Sequence, residues 1–160
     1  MDFSRGDLVA GVGISAGEYV GKEVVSAYGK TEKFHKVIEE DKDLIHYLPC
    51  NEDISLRKLP TKRTLMRYLR DLKSSKMIDV GEIEGSRYRY FKNKFLKGSL
   101  KPMLEVFHDL NILKKEKKIS VSERKLFNEL KEKLVIEASY ILDQKQDHSE
   151  HLLENIGITT

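Results

Sequence analysis

The sequence predicts a mainly α fold with one small β-hairpin, α+β in class. Three observations carry that expectation. Apolar residues recur at helical spacing through most of the 160 residues. One stretch, residues 77–91, alternates with a period of two around a Gly-Ser turn. Pro49, Pro60 and two Ser-x-x-Glu capping boxes mark helix ends at matching intervals.

Residues 1–14 hold Gly6, Gly11 and Gly13 without a helical period, so they read as an arm or a short strand. Ser15-Ala-Gly-Glu18 then matches a capping box. Ala16, Tyr19, Val20, Val24 and Ala27 follow at helical spacing, with Gly29 as C-cap. Gly17 and Gly21 each cost this helix about 1 kcal/mol, so it needs packing to persist. A second helix is expected over residues 31–48, with Phe34, Val37, Ile38, Leu44, Ile45 and Leu48 on its apolar face and Pro49 as its stop. Asn51 is a good N-cap for a short third helix, with Glu52 and Asp53 in its positive first turn. Ile54, Leu56 and Leu59 supply its buried side, and Pro60 ends it.

Thr61 caps the next helix, which is expected to end near Ser75–Lys76. Leu65, Leu69 and Leu72 form its buried stripe, while Lys62, Arg63, Arg67, Arg70 and Lys73 fall on the other faces. Residues 77–83 read as a strand, 84–86 as a turn and 87–91 as the return strand. There Tyr88 and Tyr90 alternate with Arg87, Arg89 and Phe91, and core packing suits the two tyrosines. After Gly98-Ser99 a helix begins near Pro102, with Met103, Leu104, Val106, Phe107, Leu110 and Leu113 apolar. Ser120-Val-Ser-Glu123 is the second capping box. A long amphipathic helix follows to about Gln146, carrying Leu126, Phe127, Leu130, Leu134, Ala138, Ile141 and Leu142. The tail is expected to be mobile at its end.

Charge is concentrated in one quarter of the chain. Residues 57–97 carry 13 Lys or Arg against Asp71, Asp79, Glu82 and Glu84, a net of +9. The whole chain is only +3, so the remainder carries −6. A basic segment inside a near-neutral chain is the footprint of a polyanion-binding face. The single cysteine, Cys50, excludes an internal disulfide and a Cys-cluster zinc site, and suits a reducing cytoplasm. The opening residues lack a basic n-region and a long apolar stretch, so neither a signal peptide nor a membrane span is expected. A cytoplasmic, nucleoid-associated protein is the expectation.

Two segments carry a family resemblance. Residues 61–78, TKRTLMRYLRDLKSSKMI, show a small polar cap, polar residues, Thr, an apolar residue, Arg-x-Leu-x-x-Leu and a closing apolar pair. Residues 84–91, EGSRYRYF, look like a wing of the Gly, basic and aromatic type. In that order, over residues 31–95, they resemble the winged helix-turn-helix domains of prokaryotic transcription regulators such as the ArsR and MarR groups. The resemblance implies a winged-helix DNA-binding domain over residues 31–97, with added N- and C-terminal helices. An N-terminal arm and helix would occupy 1–30, C-terminal helices 98–147, and a mobile tail 148–160. It implies double-stranded DNA as partner and a role in transcription regulation. Two positions depart from the family pattern: Lys76 stands where Gly usually ends the recognition helix, and the Leu59-Pro60-Thr61 link is one residue short.

The physics of such a site is independent of the name. A major groove about 12 Å wide admits one helix, and Arg or Lys pairs with guanine O6 and N7. Lys62, Arg63, Met66 and Arg67, at the N-terminal end of the basic helix, are the expected base readers, the capping Thr61 is a further DNA-binding candidate, and Arg70 and Lys73 suit phosphates. In the hairpin, Arg87 and Arg89 would reach backbone or minor groove, and Lys92 and Lys94 add attraction independent of sequence. The apolar stripe of the long helix, with Phe127, Leu130, Leu134 and Ile141, either folds back on its own chain or forms a coiled coil in a homodimer. Dimerisation is expected, because several winged-helix regulators pair through terminal helices. The alternatives are a non-specific architectural or replication and segregation DNA-binding protein, or a winged-helix module for protein–protein assembly.

Other chemistries fit less well. Gly11-x-Gly13-x-x-x-Gly17 after an apolar run resembles a dinucleotide loop, but no second apolar strand ending in an acid follows Gly29. Gly29-Lys30-Thr31 looks like the end of a P-loop, yet Val24 stands where the first Gly is needed. His35, His46 and Cys50, or Asp147, His148, Glu150 and His151, read as surface polar residues rather than metal ligands. No carboxylate pair or Ser–His–Asp set stands out, so neither an enzyme nor a cofactor is expected.

Overall fold

The computed structural model describes residues 2–11, 13–50 and 56–155, the Asp41 side chain excepted. The chain divides into two compact units, Met1–Leu59 and Pro60–Thr160. The first is a five-stranded sheet and the second a bundle of helices. This overturns the expected fold class. The chain is a sheet-first α+β protein, not a mainly α winged helix with one small hairpin.

The first unit contains β1 (Leu8–Gly11), β2 (Ile14–Ala27), β3 (Lys30–Glu39), β4 (Leu44–Pro49) and β5 (Arg57–Lys58). Their order in the sheet is β4-β3-β2-β1-β5, antiparallel at every pairing. The helices expected over residues 15–29 and 31–48 are therefore strands. Val20, Val24, Val25, Thr31, Val37, Ile38 and Ile45 are β-branched, and Gly17 and Gly21 weaken a helix. Tyr28 and Gly29 both take positive φ, 52° and 75°, and join β2 to β3 in a two-residue hairpin. The expected C-cap glycine is thus a turn residue. Val9, Ile14, Tyr19, Val37 and Leu56 form the buried cluster, with Phe3 and Leu48 packed against it. The expected short helix capped by Asn51 falls largely on residues 51–55, outside those described, and its later positions Arg57 and Lys58 are β5.

The second unit contains α1 (Lys62–Lys73), α2 (Arg87–Leu96), α3 (Leu100–Lys115), α4 (Val121–Leu142) and α5 (Gln146–Glu154). The expected hairpin at 77–91 is absent. Residues 77–86 run as loop with one 3-10 turn at Val80–Glu82, and Arg87 opens a helix. The Ser86 hydroxyl accepts the Arg89 N–H at 3.3 Å, a helix N-cap. Phe91 and Phe95, four apart, are the buried face of that helix. A five-residue alternation cannot be told from a helix when its aromatics also fit an i, i+4 spacing. The core gathers Leu65, Leu69, Phe91, Met103, Leu110, Leu130 and Leu153, with Phe107 and Phe127 stacked at 4.9 Å. The second capping box forms as expected, Ser120 and Glu123 each bonding the other's backbone N–H. Residues 146–154, assigned from sequence to the end of the long helix and a mobile tail, make a helix anchored by the fully buried Leu153 and by Lys131 pairing with Glu150 and Glu154.

Candidate nucleic-acid interface

Helix α1 is two-faced because its leucines and cations share one helical period but are offset by two positions, about 200° around the axis. Leu65, Leu69 and Leu72 fall at i, i+4, i+7 and are buried. Lys62, Arg63, Arg67, Arg70 and Lys73 are exposed, and among the described residues none has a carboxylate within ion-pair distance. Arg67 lies over the Tyr68 ring, 5.7 Å from its centroid, a cation–π contact that steers the guanidinium. Thr61 is the N-cap, its hydroxyl accepting the Thr64 N–H at 3.3 Å, and Met66 is exposed. Residues expected as base readers and phosphate contacts thus share one helix and its solvent side. At the C-terminal end, the Ser74 and Ser75 hydroxyls both donate to the Asp71 carbonyl. Lys76 is not among the residues with positive φ.

The cations expected in the wing behave differently. Arg87 is committed inside the chain. Its Nε and terminal nitrogen donate to both oxygens of Glu123 at 2.6 and 2.7 Å, and the terminal nitrogen also reaches the Lys118 carbonyl at 3.0 Å. Glu123 is 2% exposed, so this bidentate pair ties the start of α2 to the start of α4. Burial pushes the Glu123 carboxyl up, but hydrogen bonds from Arg87 and Ser120 outweigh it and hold the group below its ordinary value. Arg87 is held above its own range by the Glu123 bond. Lys94 pairs with Glu105 at 2.7 Å and Lys92 with Glu129 at 3.4 Å.

Among the described residues, Arg89 alone of the four has no carboxylate partner. It lines a cleft beside the α2 N-terminus with Glu84, Gly85, Ser86, Tyr90, Asn93, Lys94 and Lys97. Asn93 and Lys97 were missed from the sequence. Read as a helix, Arg89, Asn93 and Lys97 sit at i, i+4, i+8 on one stripe, and that period was the available signal. The cleft's charged lining is Arg89, Lys97 and Lys94, the last paired with Glu105, against one acid, Glu84, a net positive cleft.

Phe127, Leu130, Leu134 and Ile141, expected at a dimer seam, are all buried within the unit itself. Their apolar surface is covered by the chain's own helices, chiefly α3 and α5. His35 bonds the Tyr19 hydroxyl through Nδ1 at 3.0 Å. Among the described residues, no three His, Cys, Asp or Glu side chains gather as a metal ion requires, and no helix is long and apolar enough to cross a membrane.

Five helices packed as one unit, one of them with a cationic solvent face, define a protein with a compact helical domain. The chain belongs to the CarD family: the model for the CarD, C-terminal domain matches residues 64–154, from within α1 to the end of α5. The CarD-like domain is linked to transcription regulation, so the chain is a CarD-like, transcription-associated protein. A search of curated proteins returned no match.

Proposed function

We propose that this protein acts in transcription by holding double-stranded DNA on the cationic face of α1, alongside RNA polymerase. CarD-like domains interact with RNA polymerase and DNA in transcription. The observation that carries the reading is the set of five exposed cations on one twelve-residue helix, without carboxylate partners among the described residues. A helix that meets only water gains nothing from such a concentration of like charge, whereas phosphates release counterions from it. Arg89 near the start of α2 and Lys97 at its end, which line one cleft, supply a second phosphate contact on the same unit. Arg87, Lys92 and Lys94 take no direct part, since each already has a carboxylate partner.

Anisotropy of labelled duplexes, specific and random, at two salt concentrations tests this. Replacing Arg63 and Arg67 with Ala should weaken binding by about 1–3 kcal/mol for each base-reading guanidinium removed. The fold should survive, because neither residue is on the Leu65–Leu69–Leu72 stripe. Unchanged affinity in the double variant would remove α1 from the interface. A strong salt dependence without sequence preference would make the contact architectural.

A further inference from the structure

The β2–β3 hairpin runs on well past the body of the sheet. β1 pairs with β2 only up to Glu18, and β4 pairs with β3 only from Phe34 onward. The N–H of Cys50 bonds the Lys33 carbonyl, the outermost backbone bond from that side among the described residues. Beyond it, residues 24–33 form a two-stranded ribbon, with Lys22 and Glu23 at its base opposite His35 and Phe34.

The two faces of the ribbon differ in charge. Directly opposed residues share a face. One face carries Glu23, Val25 and Ala27 opposite Phe34, Glu32 and Lys30, and there Glu23 binds Lys36 at 2.9 Å. The other carries Lys22, Val24 and Ser26 opposite His35, Lys33 and Thr31. The Ser26 and Thr31 hydroxyls bond each other at 3.1 Å across it. Both acids of the ribbon lie on the first face, so among the described residues the second is cationic, hydroxylated and without a ribbon carboxylate.

At the tip stands Tyr28. Its φ of 52° is a left-handed conformation that a bulky L residue adopts only at a cost. Asn-Gly is the favoured pair for such a turn. The ring is 105% exposed, so no packing in the chain offsets the strain. Lysines on free edges also prevent strand-to-strand association, but that role does not call for a strained, open aromatic ring.

We propose that this ribbon is a binding site for single-stranded nucleic acid, with Tyr28 stacking on an unpaired base and Lys22 and Lys33 meeting its phosphates. Cationic tracks joined to open aromatic rings bind single strands without sequence preference. A base within a duplex must first be unstacked, whereas an unpaired base presents its face at no such expense. This goes beyond the duplex contact proposed for α1 and does not depend on it.

The test uses the full chain and a short oligo(dT), with backbone amide shifts followed by NMR. The amides of residues 22–33 should move. Tyr28→Phe should bind as the parent does. Tyr28→Asn should lose about 5- to 150-fold in affinity, the equivalent of one aromatic–base stack. Its melting temperature should hold or rise, because Asn suits the turn better. Weaker binding with an unharmed or improved fold is a pattern that a purely structural tyrosine cannot produce. Parent-like affinity in Tyr28→Asn overturns the proposal, as does equal affinity for a matched duplex in the chain carrying Arg63→Ala and Arg67→Ala. Ribbon amides that stay still while oligo(dT) moves only α1 overturn it too. So does a Tyr28→Asn defect confined to RNA polymerase binding, which would make the ribbon a protein contact. Arg63→Ala with Arg67→Ala should leave the ribbon shifts intact, so failure of the α1 site is read separately.

Discussion

Glu123 joins two jobs in one side chain. Its Oε2 accepts the Ser120 N–H at 2.8 Å as half of the capping box, and its carboxylate also receives the Arg87 fork. Removing the charge leaves the guanidinium without its partner. Glu123→Gln should therefore cost about 3 kcal/mol, the low end for a buried pair because Arg87 keeps some access to water. The sign with pH follows from the depressed acid constant. In the folded chain Glu123 stays ionised below its ordinary value of 4.5, so its stabilisation is complete above that value. It is lost as the pH falls through the lower, folded-state value. Thermal melts of the parent and Glu123→Gln should thus differ near neutrality and converge in acid. A gap that persists undiminished in acid would mean that the charge is not what Glu123 contributes.

The elements divide into those whose period was unmistakable and those whose period was shared. Helix α1 was legible to within a few residues, because Thr61, the leucine stripe and the cations all agree. So was α4, through Ser120 and a run long enough to separate helix from strand. The sheet was not. Phe34, Val37 and Ile38 satisfy a helical spacing, yet Val37 is buried and points with His35 and Glu39 along a strand. Short apolar runs do not settle the period, and pairing with distant strands decides it. Gly17 makes that pairing testable. A Cβ there would lie 2.7 Å from the Ile38 carbonyl oxygen and 2.8 Å from a Val37 methyl. Gly17→Ala should cost about 1–3 kcal/mol by forcing β2 from β3. A melting temperature equal to the parent's would show that the strands can part without strain. Helix α4 supplies the contrasting case. Leu134 was expected from sequence on a dimer seam, but it is 1% exposed within its own unit. Leu134→Asp should instead destabilise the helical unit by about 4 kcal/mol or more, seen in chemical denaturation. Full stability combined with a halved sedimenting mass would restore the seam.

For the whole molecule, the net charge says little and its placement says much. The segment with a net of +9 was identified correctly as cationic, but its parts have separate fates. Arg87, Lys92 and Lys94 neutralise carboxylates of α3 and α4, and the cations of α1 face water. Sequence counts charges without their partners, so only coordinates separate structural cations from available ones. If all five α1 cations meet phosphates, the logarithm of the binding constant should fall with the logarithm of salt at a slope of about −4 to −5. Removing Arg63 and Arg67 should flatten that slope by about 2. A parent slope near zero would leave the cationic face without its polyanion.

The pairing of β1 with β5 sets an order of events during synthesis. Val9 and Ala10 meet Lys58 and Arg57, so the first strand made waits for the last before that edge closes. A ribosome must deliver some fifty residues, and then its exit tunnel must release them, before the sheet is complete. The helical unit follows immediately from Pro60 and is built largely from neighbours in sequence. An open β1 edge is therefore a property of the nascent chain, and it vanishes just as the first helix begins to emerge.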